Sequence, residues 1–188
     1  CDGSDEEWNA LTAELVADEY KVTRAEQDAF AVESHRRAVE AQGAGRFKQE
    51  IAPIEIAQRK GPAIRFDSDE GPRADTTLES LAKLRPAFKP EGGSVTAGNA
   101  SSINDGASAV MVASEARAKE LGLKPMARIL GYATGGVEPK WVMMAPKTAI
   151  ENLNRKLGTK IDDFDLIELN EAFSVAACAL IKTLKIDP

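Results

Sequence analysis

Histidine and cysteine are scarce in this chain of 188 residues, which contains one His and two Cys. The histidine, His35, leaves no Ser-His or Cys-His set for nucleophilic catalysis, and no Cys and His have the spacing of metal ligands. Cys1 and Cys178 are too few for a disulfide framework. The sequence therefore predicts no metal site, and it indicates a reducing compartment, cytoplasmic or mitochondrial, that the residues do not narrow further.

Long hydrophobic runs and an excess of positive charge are absent too. The longest apolar run, around "FSVAACALI", is much shorter than the ~18 residues that a membrane span needs. The net charge of -6 argues against a general nucleic-acid-binding protein, which usually carries a basic surface. With 43% hydrophobic and 29% charged residues, the composition is that of a folded protein. We therefore expect neither a membrane span nor a nucleic-acid partner.

The two ends of the sequence indicate that it is part of a longer protein or a processed product. It begins with Cys1 instead of Met, and it ends on "KIDP" directly after a predicted helix. A targeting peptide upstream would therefore not be visible in these residues.

The first part of the chain is predicted to be helical and rich in loops. Helices are expected at residues 5–20, from Thr23 to about Gln42, and at 77–84, with Thr23 and Glu26 forming a capping box. The segment "EIAPIEI" predicts an edge strand because it carries a proline, and residues 60–76 predict an irregular loop.

Strands and helices alternate in the second part. The apolar runs "AVMVA", "MARILGYA" and "DLIEL" predict buried strands. Helices are expected from Ser114 to Leu121, from Pro146 to Gly158, and after Asn170. This alternation predicts an α/β layered domain that begins near residues 93–100.

Asn170 interrupts the apolar run of "DLIELNEAFSVAACALIK" where a predicted strand meets a predicted helix. One interpretation is structural, because Asn is among the best residues for capping the first turn of a helix. The other is catalytic, and the residues around it do not decide between the two.

The segment "GGSVTAGNASSINDG" has the composition of a phosphate-binding loop, but it lacks the Gly-Lys-Ser/Thr ending and the spaced glycines of a dinucleotide fingerprint. The alternative is a tight turn before a buried strand, with Asp105 and Gly106 as turn residues.

Charged residues near the middle of the chain allow two interpretations as well. A loose basic cluster is either a solvated face or a contact for a phosphorylated ligand; its members are Arg73, Lys83, Arg85 and Lys89. His35, beside Arg36 and Arg37 on a charged helix face, is predicted to face solvent.

Five blocks of the chain resemble the thiolases, and in particular the acetoacetyl-CoA thiolase (acetyl-CoA C-acetyltransferase) branch. They occur in the same order as in that family: "RAEQDAFAVESHRRA", "GRFKQEI", "TTLESLAKLRPAF", "SVTAGNASSINDGASAV" and "LNEAFSVAA". The resemblance covers nearly the whole chain. It implies an incomplete thiolase-like layered αβα fold, with residues 1–98 as the mainly helical loop domain that binds coenzyme A and residues 99–188 as part of the C-terminal α/β domain.

The resemblance also implies roles for single residues. Asn170 matches the Asn that holds a water in an oxyanion hole. Arg73 and Ser80 match positions near the nucleotide end of coenzyme A, Ala97 and Ser101 match positions along its pantetheine arm, and Ala172 and Phe173 line the reactive end. A long, thin arm suits small residues because the backbone then approaches it closely, and an arginine suits the phosphorylated end.

Three catalytic groups of the family have no match in residues 1–188: the nucleophilic Cys, the His of the Gly-His-Pro motif and the second catalytic Cys. Cys1 matches the residue before the Asp-Gly pair with which the loop domain opens, and Cys178 is expected to pack inside the last helix. The chain also has Trp8, Asn9 and Ala10 where the family usually has His-Met-Gly, and "VMMAP" departs from a Met-Gly-x-Gly-Pro pattern.

The implied activity of the complete enzyme is the condensation of two acetyl-CoA to acetoacetyl-CoA and coenzyme A, and the reverse thiolytic cleavage. Coenzyme A thioesters would be substrates, with no tightly bound cofactor, and the complete protein would be a homo-oligomer. We expect the isolated chain to be inactive. The alternatives are a non-catalytic module that binds coenzyme A or a partner subunit, and a truncated remnant.

Overall fold

The computed structural model describes the backbone of residues 4–188 and the side chains of residues 11–188. Short 3-10 segments lie at Pro139–Met144 and Ile161–Asp163. The helices and strands along these residues are α1 (Ser4–Tyr20), α2 (Arg24–Gly43), β1 (Ile54–Ile56), β2 (Ile64–Phe66), α3 (Leu78–Ala82), α4 (Glu115–Glu120), α5 (Ala145–Leu157) and α6 (Ser174–Leu184). None of the described helices combines the length and the apolar character that a membrane span requires.

The chain divides into two compact units. The first unit consists of the residues up to Ser102 together with Asn170–Ala179, and the second of Ile103–Leu169 together with Leu180–Pro188. The first unit contains most of the buried apolar side chains. They come from α1, the turn between α1 and α2, α2, α3, the loop after α3 and the start of α6: Ala13, Val16, Ala17, Val22, Ala31, Leu81, Val95, Val175, Ala176, Ala177 and Ala179.

The helices lie close to where the sequence predicts them. Thr23 and Glu26 form the predicted capping box at the start of α2, in which the Thr23 N-H donates to Glu26 Oε2 at 2.7 Å and the Glu26 N-H donates to Thr23 Oγ1 at 3.2 Å. Helix α5 begins with a proline in its first turn and ends at Gly158, which adopts the left-handed conformation with φ of 70°. These two helices therefore begin and end where the capping and stop residues of the sequence predict.

The hairpin was only half predicted. β1 lies in the predicted strand "EIAPIEI", directly after Pro53, and it pairs antiparallel with β2, which lies within the predicted irregular loop 60–76. β2 was missed because a strand of three residues is too short to show alternation. The register places Ile54 opposite Phe66 and Ile56 opposite Ile64.

The three strands predicted in the second unit are wrong for this structure. "AVMVA", "MARILGYA" and "DLIEL" form no ladder hydrogen bonds within residues 4–188, and their apolar side chains are exposed, with Val110 at 89% and Leu166 at 92%. A strand exists only when a neighbour accepts and donates its backbone hydrogen bonds, and no other described segment pairs with these three. The hydrophobic pattern indicates that these side chains favour burial, but in this structure they remain exposed.

Two buried acidic side chains hold the loop that follows α3. Glu14 of α1 is 4% exposed, and its carboxylate accepts hydrogen bonds from the Ser94 N-H, the Ser94 hydroxyl and the Val95 N-H at 2.9 to 3.0 Å. Asp28 of α2, also 4% exposed, accepts from Asn99 Nδ2 at 3.0 Å and pairs with Arg24 at 2.7 Å. Buried carboxylates are tolerated when they are satisfied in this way.

The exposed face of α2 carries a cluster of ion pairs. Glu33 accepts hydrogen bonds from Arg36 at 2.7 and 2.8 Å and from Arg37 at 2.6 Å, and Arg36 also pairs with Glu40 at 2.8 Å. Hydrogen bonds from Arg36 and then from Arg37 lower the pKa of Glu33 to about 2, and the hydrogen bond with Glu33 raises the pKa of Arg36. These charges therefore partly neutralise one another along the helix.

We expect Asn99→Asp to destabilise the first unit by about 3 kcal/mol, because it removes buried N-H donors and puts a second carboxylate beside Asp28. Urea unfolding followed by helical circular dichroism measures the loss. Gln42→Glu is the matched control, since the Gln42 amide donates to the Asp69 carbonyl at the surface, at 3.0 Å, and its loss is expected to cost less than about 1 kcal/mol. Equal losses in the two variants would contradict a special role for the buried amide.

The Glu33 carboxylate is expected to titrate well below an ordinary Glu, and Arg36→Ala is expected to move its pKa from about 2 back toward 4.5. Because the folded-state pKa is the lower one, the ion pairs stabilise the fold above pH 4.5, and that contribution is lost as the pH falls toward 2. Carboxyl NMR titration measures both variants. An unchanged Glu33 pKa in Arg36→Ala would show that the arginine is not its cause.

Candidate functional site

The loop 94–101 buries some of its side chains and displays others. Ser94, Val95, Thr96 and Asn99 are buried, whereas Ala97 and Ser101 are exposed. Asn99 closes a tight turn, because its Oδ1 accepts from the Thr96 N-H at 2.8 Å and its own N-H donates to the Thr96 carbonyl at 3.2 Å. The buried residues therefore anchor a turn that presents Ala97 and Ser101 outward.

Gly98 lets this turn approach helix α3 closely. A Cβ at that position would lie 2.5 Å from Leu81 Cδ2 and 2.6 Å from Leu84 Cδ1, which is closer than side-chain atoms pack. Only glycine fits without movement of the two leucines. Close approach also explains why small residues dominate this loop.

The loop pairs with the segment Asn170–Phe173. The Ser101 N-H donates to the Ala172 carbonyl at 3.0 Å, and Ala100 forms an isolated antiparallel bridge with Phe173. The structure thus places Ser101 beside Ala172, as expected if both belong to one site, and Ala172 and Phe173 are half-buried.

Asn170 does not cap α6, so the structural one of its two interpretations is wrong. The helix begins at Ser174, four residues later, and the Ser174 N-H donates to the Asn99 carbonyl at 2.9 Å. The Asn99 carbonyl in the loop 94–101 thus accepts the hydrogen bond from a helix N-H that a capping side chain would otherwise accept. Asn170 is exposed and its side chain has no hydrogen bond within the described residues, while the neighbouring Glu171 accepts from the Ser34 hydroxyl at 2.6 Å.

A groove of about 430 Å³ runs along α2 in the same unit. It is lined by the helix side chains Val32, Arg36, Val39 and Glu40 and by Arg73, Ala74 and Thr76. Arg36 is already paired with two glutamates, whereas Arg73 forms no ion pair with any described residue. The Arg73 guanidinium is therefore the cation of this groove that is available to an anionic ligand.

Ser80 lies in the first turn of α3, where its hydroxyl is already engaged. The hydroxyl accepts from the Thr77 N-H at 3.0 Å and donates to the Thr77 carbonyl at 2.8 Å, as part of a capping box. The hydroxyl oxygen of Ser80 can still accept a hydrogen bond from a ligand.

The residues of the basic cluster have different surroundings. Lys89 pairs with Asp18 at 3.1 Å, and Lys83 and Arg85 are exposed and lie outside the groove of Arg73. Cys178 is half-buried, with its sulfur 3.8 Å from the Glu26 carbonyl, which is the packing position expected for it. Among the described residues, no three His, Cys, Asp or Glu side chains are arranged to hold a metal ion.

Sequence reasoning missed the residues that hold the loop: Glu14, Asp28 and Asn99. A polar side chain in a predicted helix is ordinarily assigned to solvent, and burial becomes visible only when the 94–101 loop is placed against α1 and α2. The one local signal was an Asn directly after a Gly, which is a common turn sequence.

Comparison with known proteins identifies the family. Residues 1–116 match the family model "Thiolase, N-terminal domain" and residues 123–188 match "Thiolase, C-terminal domain". An acetyl-CoA acetyltransferase of Pseudomonas aeruginosa is 51% identical over 93% of this chain and 44% of its own length. One from Allochromatium vinosum is 54% identical over 90% of the chain and 43% of its own length.

Solved structures agree with these matches. A Bacillus anthracis acetyl-CoA acetyltransferase has a TM-score of 0.88 at 44% identity, and the human mitochondrial 3-ketoacyl-CoA thiolase has a TM-score of 0.90 at 43% identity. Each comparison covers 95% of this chain and 45% of the solved chain, so the sequence spans a little less than half of such proteins. The fold is therefore an incomplete thiolase fold, and the chain belongs to the thiolase family.

Proposed function

We propose that this chain is part of an acyltransferase that moves an acetyl group between coenzyme A thioesters. In the complete enzyme, two acetyl-CoA would condense to acetoacetyl-CoA and coenzyme A, and the reverse reaction would cleave acetoacetyl-CoA. The similarity to two acetyl-CoA acetyltransferases, at 51% and 54% identity, supports this reaction. The complete enzyme is proposed to be a homo-oligomer that needs no metal or tightly bound cofactor.

The proposed domain division assigns residues 1–98 to coenzyme A binding and residues 99–188 to part of the C-terminal α/β domain. The observation that carries the proposal is the hydrogen-bonded pairing of the loop 94–101 with Asn170–Phe173, centred on the Ser101–Ala172 bond of 3.0 Å. This pairing joins residues proposed for the pantetheine arm to residues proposed for the reactive end. A thin, flexible arm suits a channel formed by small residues and backbone.

Each site residue has a proposed role in this arrangement. Ala97 and Ser101 would line the pantetheine arm, Ala172 and Phe173 would line the thioester, and Arg73 and Ser80 would contact the nucleotide end. Asn170 would hold a water that donates to the thioester oxygen as negative charge develops on it. A single oxyanion donor of this kind typically contributes about 2.7 to 4 kcal/mol to transition-state stabilisation.

Within the described residues, no cysteine and histidine lie together as a nucleophile and its base, since Cys178 packs against the Glu26 carbonyl and His35 lies beside Arg73. This favours a second candidate for the isolated chain, a module that binds coenzyme A without transforming it. Binding and catalysis are separable by experiment.

We expect the 188-residue chain alone to cleave no acetoacetyl-CoA when free coenzyme A is added, because covalent acyl transfer needs an activated nucleophile. The measurement is the loss of acetoacetyl-CoA absorbance, with the Pseudomonas aeruginosa relative as the positive control. Turnover by the purified chain that scales with its concentration would overturn this expectation.

Coenzyme A is expected to bind the chain weakly, and Arg73→Ala is expected to raise the Kd about fivefold at low salt, equivalent to ~1 kcal/mol for an exposed ionic contact. The effect should shrink as salt is added. Arg37→Ala is the matched control, because Arg37 is an exposed arginine that pairs with Glu33 and does not line the groove.

Pantetheine, which lacks the phosphorylated end, is expected to bind Arg73→Ala and the unmodified chain equally. Isothermal titration calorimetry measures both ligands. An Arg73→Ala variant that binds coenzyme A as tightly as the unmodified chain would refute the proposed nucleotide contact.

A further inference from the structure

His35 contacts Arg73, one of the residues that line the groove along α2. Its Nδ1 accepts a hydrogen bond from the Arg73 N-H at 3.2 Å, and the side chain is half-buried. The prediction that it faces solvent therefore holds only in part, because the segment with Arg73 covers part of the ring. The helix periodicity placed His35 among charged neighbours, but it did not show that a distant segment covers this position.

The segment that carries Arg73 has little structure of its own. Residues 67–76 form neither helix nor strand, and only two hydrogen bonds join residues 69–73 to the rest of the described chain. Gln42 donates to the Asp69 carbonyl at 3.0 Å, and His35 accepts from the Arg73 N-H. His35 and Gln42 are two turns apart on α2. Their hydrogen bonds therefore hold Arg73 and Asp69, the two ends of this short segment, against the same helix.

Of the two hydrogen bonds, the one to His35 acts at Arg73 itself. It fixes the backbone of Arg73, whose guanidinium forms no ion pair with any described residue, while Arg36, which also lines the groove, is held by Glu33 and Glu40. Fixing the backbone reduces the number of conformations that must be lost when an anion is bound. An imidazole nitrogen accepts a hydrogen bond only when it carries no proton, so this contact requires the tautomer protonated on Nε2.

We propose that His35 is a positioning residue, which holds Arg73 so that its guanidinium meets the phosphorylated end of coenzyme A. The assignment rests on the proposed coenzyme A site. His35 acts through Arg73 and makes no contact of its own with the phosphates. A substitution of His35 should therefore matter only when the Arg73 side chain is present.

The test is a double-mutant cycle measured by calorimetry with coenzyme A. His35→Phe keeps a ring but removes the acceptor, and it is expected to raise the Kd about threefold. His35→Gln keeps an acceptor in its amide oxygen, and it is expected to restore at least half of the lost affinity. In the Arg73→Ala background, His35→Phe is expected to change the Kd by less than about 1.5-fold, because coupled residues are not additive.

Two controls separate positioning from damage to the fold. Pantetheine should bind His35→Phe and the unmodified chain equally, and hydrogen exchange of the Arg73 amide should be faster in ligand-free His35→Phe than in the unmodified chain and in His35→Gln. His35→Ala provides the same comparison if the phenylalanine variant does not fold.

The outcomes separate this assignment from the proposed function. Coenzyme A binding that depends on Arg73 but not on His35 would overturn the assignment alone. A threefold loss that persists in the Arg73→Ala background would also overturn it, because His35 would then touch the ligand directly. An unmodified chain that binds no coenzyme A would overturn the proposed function and this assignment with it.

Discussion

The buried acceptors Glu14 and Asp28 determine how the first unit is built. A carboxylate away from water is unfavourable unless several donors surround it, and here the donors come from the loop that follows α3. Glu14 accepts from the backbone of Ser94 and Val95, and Asp28 accepts from the Asn99 amide. Because both acceptors lie on helices, the loop adopts one conformation relative to α1 and α2. The exposure of Ala97 and Ser101 follows from that constraint.

The two parts of the proposed ligand site differ in their physical character. The region around Ser101 and Ala172 is formed by backbone and small side chains and carries no formal charge on those residues. The groove along α2 combines the apolar Val32 and Val39 with the unpaired Arg73. Coenzyme A has a matching division, since its arm is thin and uncharged over most of its length and its nucleotide end is anionic. Recognition would therefore combine close packing at one end with electrostatic attraction at the other.

The sequence predicted local features well and long-range features poorly. The capping box at Thr23 and the helix stop at Gly158 depend on residues a few positions apart, and both are present. The apolar runs around Val110 and Leu166 predicted strands, but strand formation depends on neighbours that the described residues do not supply. Capping was one of the two interpretations of Asn170, and it fails because α6 begins at Ser174 and not directly after Asn170. The donors and acceptors of the buried network were invisible for the same reason, since Glu14 and Ser94 meet only in the folded chain.

The wide spacing of these contacts along the chain has a consequence for the order of folding. Glu14 and Ser94 are 80 residues apart, Asp28 and Asn99 are 71 apart, and Ser34 and Glu171 are 137 apart. Helix α2 with its capping box can form from nearby residues, whereas contacts between distant residues form slowly because long loops must close first. During synthesis, α2 would therefore be complete long before Asn170–Phe173 emerges. The surface proposed for the thioester is thus among the last parts of the first unit to acquire its shape.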